Sequence, residues 1–273
     1  MEANDQTQNI PAISFRSVRK SYKQDGQTYD VLQDVTGDIQ QGAIVAVLGP
    51  SGSGKSTLLS MCNLMRTPDS GEVNIYGKEV REWNVNELRR TASLAFQSAP
   101  VLDGTVRDNL SLVQRLHQSQ LYSPEKLASL AGLPPELLDR SARDLSGGQR
   151  QRLSLARTLS NPSSILLLDE ITSALDPVSV LEIEELIKRQ HQEKKWTVMW
   201  VTHNMEQAKR VADAIWFMAD GRLLEIAETE TFFSAPQHEA AKEFLKGGPG
   251  NGLPFSLFND DLCFDRLVFI KIL

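Results

Sequence analysis

Several short runs in this chain are apolar almost throughout: Ala43-Ile44-Val45-Ala46-Val47-Leu48, Ile165-Leu166-Leu167-Leu168, Thr197 to Val201, and Ala214 to Met218. Runs this short and this rich in β-branched residues suit strands buried on both faces of a parallel sheet. Toward the N-terminus the pattern becomes an alternation. Ile13-Ser14-Phe15-Arg16-Ser17-Val18 reads as a half-buried strand, and Tyr29 to Ile39 holds another strand-like stretch. Glu72-Val73-Asn74-Ile75-Tyr76 is a third, set between turns at Pro68-Asp69-Ser70-Gly71 and at Gly77. Ser93-Leu94-Ala95-Phe96 reads as a strand ending at Gln97.

The segments between the later strands have helical spacing. A helix is expected from Gly147 to about Leu159, one carrying Val180, Ile183 and Ile187 on a single face, and one from Met205 to Ala212. Strands that alternate with helices imply a parallel sheet with right-handed crossovers. From Val106 to Ala142 the rhythm is interrupted by helices, with Pro124, Pro134 and Pro135 each suited to a helix start. This reads as a small helical insertion, spanning about 98–146 within a domain of 1–246. After it, GGPGNGLP has the composition of a flexible linker and leads into the apolar stretch FSLFNDDLCFDRLVFIKIL. That 247–273 segment is read as a non-native or disordered extension, with docking or contact with a membrane surface as its functional alternative.

Composition adds bounds. At 273 residues and 41% hydrophobic content the chain can bury a substantial core. A net charge of −6 weighs against nucleic acid as the main partner. Cys62 and Cys263 lack metal-type spacing, which points to a reducing compartment and away from zinc. The start, MEANDQTQNI, has neither a basic nor an apolar signal region. The apolar runs fall far short of the roughly 20 residues needed to span a bilayer, so a membrane role would require another subunit.

The run Gly49-Pro50-Ser51-Gly52-Ser53-Gly54-Lys55-Ser56-Thr57 carries the chemistry. It fits G-x-x-x-x-G-K-[ST], and it lies between a predicted strand and a predicted helix, as a phosphate-binding loop requires. Glycines let successive backbone N–H groups converge on phosphate oxygens. Lys55 supplies a mobile charge near the β- and γ-phosphates, and the Ser56 hydroxyl can ligate Mg²⁺. A second feature is Asp169-Glu170, at the end of a buried strand. There Asp169 is placed as a partner of the same Mg²⁺, and Glu170 as a general base for a water in line with the γ-phosphate. A third, Leu145-Ser146-Gly147-Gly148-Gln149, opens a helix and offers a second anion site. Two such cradles reach one ATP most simply when two chains are arranged head to tail. The basic residues Arg150 and Arg152 read as a solvated helix face beside that site.

These motifs, in this order, resemble those of the ATP-binding-cassette (ABC) ATPases over roughly residues 12–245. GPSGSGKST is similar to the family's Walker A, ILLLDE to its Walker B, and LSGGQ to its signature motif. Gln97 resembles the Q-loop glutamine, a ligand for Mg²⁺ or the lytic water. Ser173-Ala174-Leu175-Asp176 resembles the D-loop, His203 the switch histidine, and Tyr22 the aromatic residue that stacks on adenine. The resemblance implies an α/β P-loop NTPase core with a mostly parallel sheet, an N-terminal antiparallel β subdomain and a small helical insertion.

The same resemblance implies an ATPase subunit using ATP and Mg²⁺, which dimerises around ATP and powers a separate integral membrane permease from the cytoplasmic face. One Walker A, no sustained heptads and no zinc cysteines set the chain apart from DNA-repair ABC ATPases and from two-cassette translation factors. Among transporters it looks most like the bacterial iron-export (Fet-type) group, which has relatives in plant aluminium tolerance. Phosphate-import ATPases come next. The cargo expectation rests on this likeness alone.

Overall fold

The computed structural model describes residues 10–24, 26–96, 101–117, 122–173 and 175–247. Two long antiparallel strands, β1 (Ile13–Gln24) and β2 (Gln27–Ile39), precede the wholly buried β3 (Ile44–Leu48). The glycine-rich loop joins β3 to α1 (Lys55–Met61). β4 (Ser70–Ile75) and β5 (Lys78–Glu79) complete an antiparallel sheet in the order β2-β1-β4-β5. α2 (Val85–Thr91), capped by the Asn84 side chain, leads into β6 (Ala92–Ala95).

Helices follow: α3 (Val106–His117), α4 (Pro124–Leu130) and α5 (Gly147–Leu159). Pro124 opens α4 as expected. Pro134 differs, because the ring of Pro135 holds it extended at ψ 135°, and only a short 3₁₀ turn follows. The α/β rhythm then returns with β7 (Ile165–Asp169), α6 (Pro177–Lys194), β8 (Thr197–Val201), α7 (Met205–Val211) and β9 (Ala214–Ala219). β10 (Arg222–Glu228), α8 (Thr229–Ser234) and α9 (Glu239–Leu245) follow, elements that the hydrophobic pattern does not mark. Tail residues 248–273 lie outside the described residues.

The second sheet runs β10-β9-β3-β8-β7-β6, parallel throughout except for the β9–β10 pair. Its parallel strands β3, β7 and β8 bury both faces, as their continuous apolar sequences predict. Val45, Val47, Leu167 and Met199 face the antiparallel sheet and pack with Ile13, Phe15, Val73 and Ile75. Phe15 meets Trp216 edge-on, with centroids 5.8 Å apart. On the opposite face, Leu166, Leu168 and Trp200 pack against Leu155 and Leu159 of α5 and Ile183 and Ile187 of α6. The helical region has its own core, which takes in Leu153 and Ala156 of α5. Thus α5 serves two cores at once. This architecture is the α/β cassette expected, with its antiparallel N-terminal sheet and helical part. No helix of the described residues is long and apolar enough to cross a membrane.

Parallel pairing places the site. Asp169 pairs with Val201, and Val47 with the same Val201 from the other side. The loops leaving β3, β7 and β8 therefore emerge side by side at one sheet edge, where open α/β sheets bind ligands.

Candidate functional site

The glycine-rich loop is shaped by close packing. Gly49 has φ 145°, and a Cβ there would stand 1.9 Å from the Met218 carbonyl oxygen. At Gly54, with φ 94°, a Cβ would meet the Val31 carbonyl oxygen at 2.6 Å. Only glycine fits either place. Pro50, Ser51, Gly52 and Ser53 form the turn between them, with Ser53 buried and Ser51 and Gly52 exposed.

Lys55 lies folded back into this loop, only 4% exposed. Its Nζ donates to the carbonyls of Gly49 at 2.9 Å and Pro50 at 2.7 Å. Burial lowers its pKa to about 8, against the pull of the Glu170 and Asp169 carboxylates. The Ser56 hydroxyl donates to Asp169 Oδ1 at 2.7 Å. Burial pushes the Asp169 carboxyl up to about 6.

Glu170 follows on a left-handed backbone, φ 48°. His203 Nε2 lies 2.5 Å from Glu170 Oε1. Burial raises the Glu170 pKa, but the hydrogen bond and charge of His203, with Lys55 beyond, outweigh it and hold the carboxyl below its ordinary value. His203 is not the cap of α7; Asn204 fills that place, its side chain accepting from the Gln207 N–H.

Lys55, Ser56, Asp169, Glu170 and His203 thus converge from three loops. Other expected residues stand apart. Gln97 lies outside the described residues, although the Phe96 carbonyl before it accepts from Gln151 Nε2 at 3.1 Å. Ser146, Gly147, Gly148 and Gln149 form the N-terminus of α5, where Ser146 and Gln149 cap each other reciprocally. Among the described residues, no hydrogen bond or ion pair joins this helix start to the glycine-rich loop. Asp176 caps α6 through the N–H groups of Val178 and Ser179; Ala174, before it, is outside the described residues.

Tyr22 lies in β1 with two cations over its ring, Lys20 at 5.4 Å and Arg66 at 5.7 Å from the centroid. Arg66 was invisible to sequence reasoning. Its Nη1 donates to Thr57 Oγ1 at 3.1 Å, so it links the aromatic ring to the phosphate-loop helix. No motif marks it, and its partners are distant in sequence.

Comparison with known proteins agrees with this geometry. The family model described as "ABC transporter" matches residues 32–173. The Bacillus subtilis protein named "Putative ABC transporter ATP-binding protein YjkB" is 98% identical over 248 residues, 91% of this chain and 99% of that protein. The phosphate import ATP-binding protein PstB of Colwellia psychrerythraea is 40% identical over 234 residues, 80% of this chain and 83% of its own length. Among solved structures, the ATP-binding cassette MJ0796, a dimer in a post-hydrolysis state bound to ADP and Pi, superposes with a TM-score of 0.72 at 29% identity. That match covers 80% of this chain and 98% of the cassette. In this chain a glycine-rich loop braced by Lys55 lies beside a carboxylate pair at a parallel sheet edge. The chain belongs to the ABC transporter family, as its ATP-binding, ATP-hydrolysing subunit.

Proposed function

We propose that two copies of this chain close on ATP and that closure drives a separate membrane permease. The observation that carries this reading is a divided site. Lys55, Ser56, Asp169, Glu170 and His203 converge, while Ser146 to Gln149 stand apart on α5. A second copy, turned head to tail, brings its Ser146-Gly147-Gly148 to the phosphates held by the first.

In this reading residues Gly49 to Thr57 cradle the phosphates and Tyr22 stacks on the base. Ser56 and Asp169 offer hard oxygen donors that fit Mg²⁺, with Gln97 as a third ligand. The ion would neutralise phosphate charge when bound. Glu170, held ionised and pointed by His203, accepts a proton from the attacking water. His203 then bonds the γ-phosphate side. Helices α3 and α4 and the loop after Gln97 face the permease, and the subunit sits on the inner surface of the cell membrane.

The deciding experiment is gel filtration of Glu170→Gln with ATP. The variant is expected to bind ATP, to stop hydrolysing it and to run as a dimer. A monomer that hydrolyses ATP at the wild-type rate overturns the reading. Co-purification with a membrane protein supports the transporter assignment, and tight, salt-sensitive DNA binding in its place overturns it.

For cargo, the likeness to iron-export ATPases supports export of iron or another metal. The likeness to PstB supports phosphate import as a second reading. Vesicles carrying the co-purified permease separate them: ATP-dependent movement of iron supports the first, and of phosphate the second.

A further inference from the structure

Gln207 is wholly buried behind the Glu170–His203 pair, and its side chain ties together the two loops that carry them. Its Oε1 accepts from Thr202 Oγ1 at 2.8 Å and from Thr172 Oγ1 at 3.2 Å. Thr202 directly precedes His203, and Thr172 stands two residues beyond Glu170. Its Nε2 donates to Glu184 Oε1 at 3.2 Å. Glu184, buried on α6, is held in turn by Arg210 of α7, whose Nε and Nη2 reach its two oxygens at 2.7 and 2.8 Å. The carboxylate of Glu184 can only accept, so the amide NH₂ must face it. The amide oxygen is then left for the two hydroxyls.

The position of this network is informative. Strand pairing between β7 and β8 ends at Asp169 and Val201. The Glu170 N–H still donates to the Val201 carbonyl at 3.0 Å. Past that point the strand pairing stops, and Gln207 bridges the two loops. Thr202 is fixed from both sides, because its hydroxyl also accepts from the Asn204 N–H at 3.1 Å. His203 therefore sits between two anchored residues. Thr172, Thr202, Gln207 and Glu184 are each less than a tenth exposed. Polar groups taken this far out of water must be fully paired, and once paired they specify one geometry.

We infer that Gln207 is a positioning residue for ATP hydrolysis, setting the Glu170 carboxylate against the His203 imidazole by bonding both loops through one amide oxygen. Wholly buried, it acts only through these loops. Gln207 stands on α7, and Glu184, itself held by Arg210, ties it to α6, so the pair is held by two helices rather than by its loops alone. The inference rests on the roles assigned to Glu170 and His203 above.

The test uses the full chain and its basal ATPase activity. Gln207→Leu is expected to lower kcat about tenfold to a hundredfold, the scale of a small misplacement. ATP affinity, measured by calorimetry, should stay within roughly twofold, since the phosphate loop is untouched. Gln207→Glu sets a carboxylate against Glu184 and should lower kcat as well. Thr172→Val keeps the shape of that side chain but removes its bond to Gln207, and should lower kcat in the same direction at unchanged ATP affinity. A lowered kcat in Thr172→Val supports the inference even where Gln207→Leu does not fold. It is overturned by wild-type kcat in Gln207→Leu, Gln207→Glu or Thr172→Val, or by ATP affinity falling in step with kcat. The underlying assignment fails separately: Glu170→Gln retaining turnover removes it. If Glu170→Gln abolishes turnover while Gln207→Leu keeps it, only the present inference falls.

Discussion

The Ser56 hydroxyl donates to Asp169 Oδ1 at 2.7 Å, joining the first turn of α1 to the end of β7. Burial dominates this carboxyl and takes it up to about 6; Glu170 adds to the rise, while Ser56, Lys55 and Arg66 oppose it. Between about pH 4 and pH 6 the folded protein keeps a proton here that the unfolded chain has released. Stability therefore falls as pH rises through that window and levels off above it, a loss of roughly 2 kcal/mol after allowance for solvent. Asp169→Asn keeps an acceptor for Ser56 without the charge. Without metal or nucleotide, its stability advantage over wild type should grow from pH 4 to pH 6 and then stay constant. Urea unfolding across that range checks this, and an advantage independent of pH contradicts it.

Lys55 behaves in the opposite sense. Burial lowers its pKa to about 8, and the nearby carboxylates recover only part of that. Below this pH the buried cation weakens the fold, and the penalty lifts as pH rises toward the ordinary lysine value. A bound polyphosphate restores the charge. ATP binding near pH 8.5 should therefore draw a proton onto the protein, and affinity should weaken as pH climbs further. Calorimetry in buffers of different ionisation heat measures the uptake. Lys55→Met should abolish it and weaken binding; uptake that survives the substitution places the proton elsewhere.

Glu170 occupies a left-handed backbone position that side chains resist. This strain costs about 1–2 kcal/mol for a residue bearing a Cβ. It can be isolated by comparing Glu170→Gly with Glu170→Ala, since both lose the carboxylate and the contact with His203. The glycine variant should be the more stable by about 1 kcal/mol after its greater freedom when unfolded is counted. Equal midpoints in urea would mean that the turn relaxes when the carboxylate is gone.

Much of the candidate site is legible in the sequence, for a physical reason. Phosphate binding needs backbone N–H groups, glycine turns and a lysine in consecutive positions, so Gly49 to Thr57 declare themselves. Ile165 to Glu170 do the same, because a buried strand must end before its charges begin. Residues that work across the fold leave no such trace. Arg66 reaches Thr57 and Tyr22 only through packing, and Gln207 meets Thr172 and Glu184 across three elements. The antiparallel β10 and the short α8 and α9 were missed because their partly exposed faces carry too few apolar residues to set a period.

Gly147 separates what one chain needs from what two need. It begins α5 just after the Ser146 cap, its φ is not positive, and a Cβ there would meet nothing within 4 Å. The capping exchange between Ser146 and Gln149 is complete without it. Within this chain alanine is the better residue, since glycine weakens a helix by up to about 1 kcal/mol. Gly147→Ala should therefore raise the unfolding free energy of the isolated subunit, by about 0.5 kcal/mol so near the helix end. In the composite site proposed above, the added methyl group would lie where the partner's phosphates approach. The same variant should then lose ATP-driven dimerisation in the Glu170→Gln background and most of its turnover when Glu170 is intact. Greater stability with lost turnover identifies a glycine kept for a second chain. Full turnover with the methyl in place means that nothing packs closely against the start of α5, and the head-to-tail dimer fails with it.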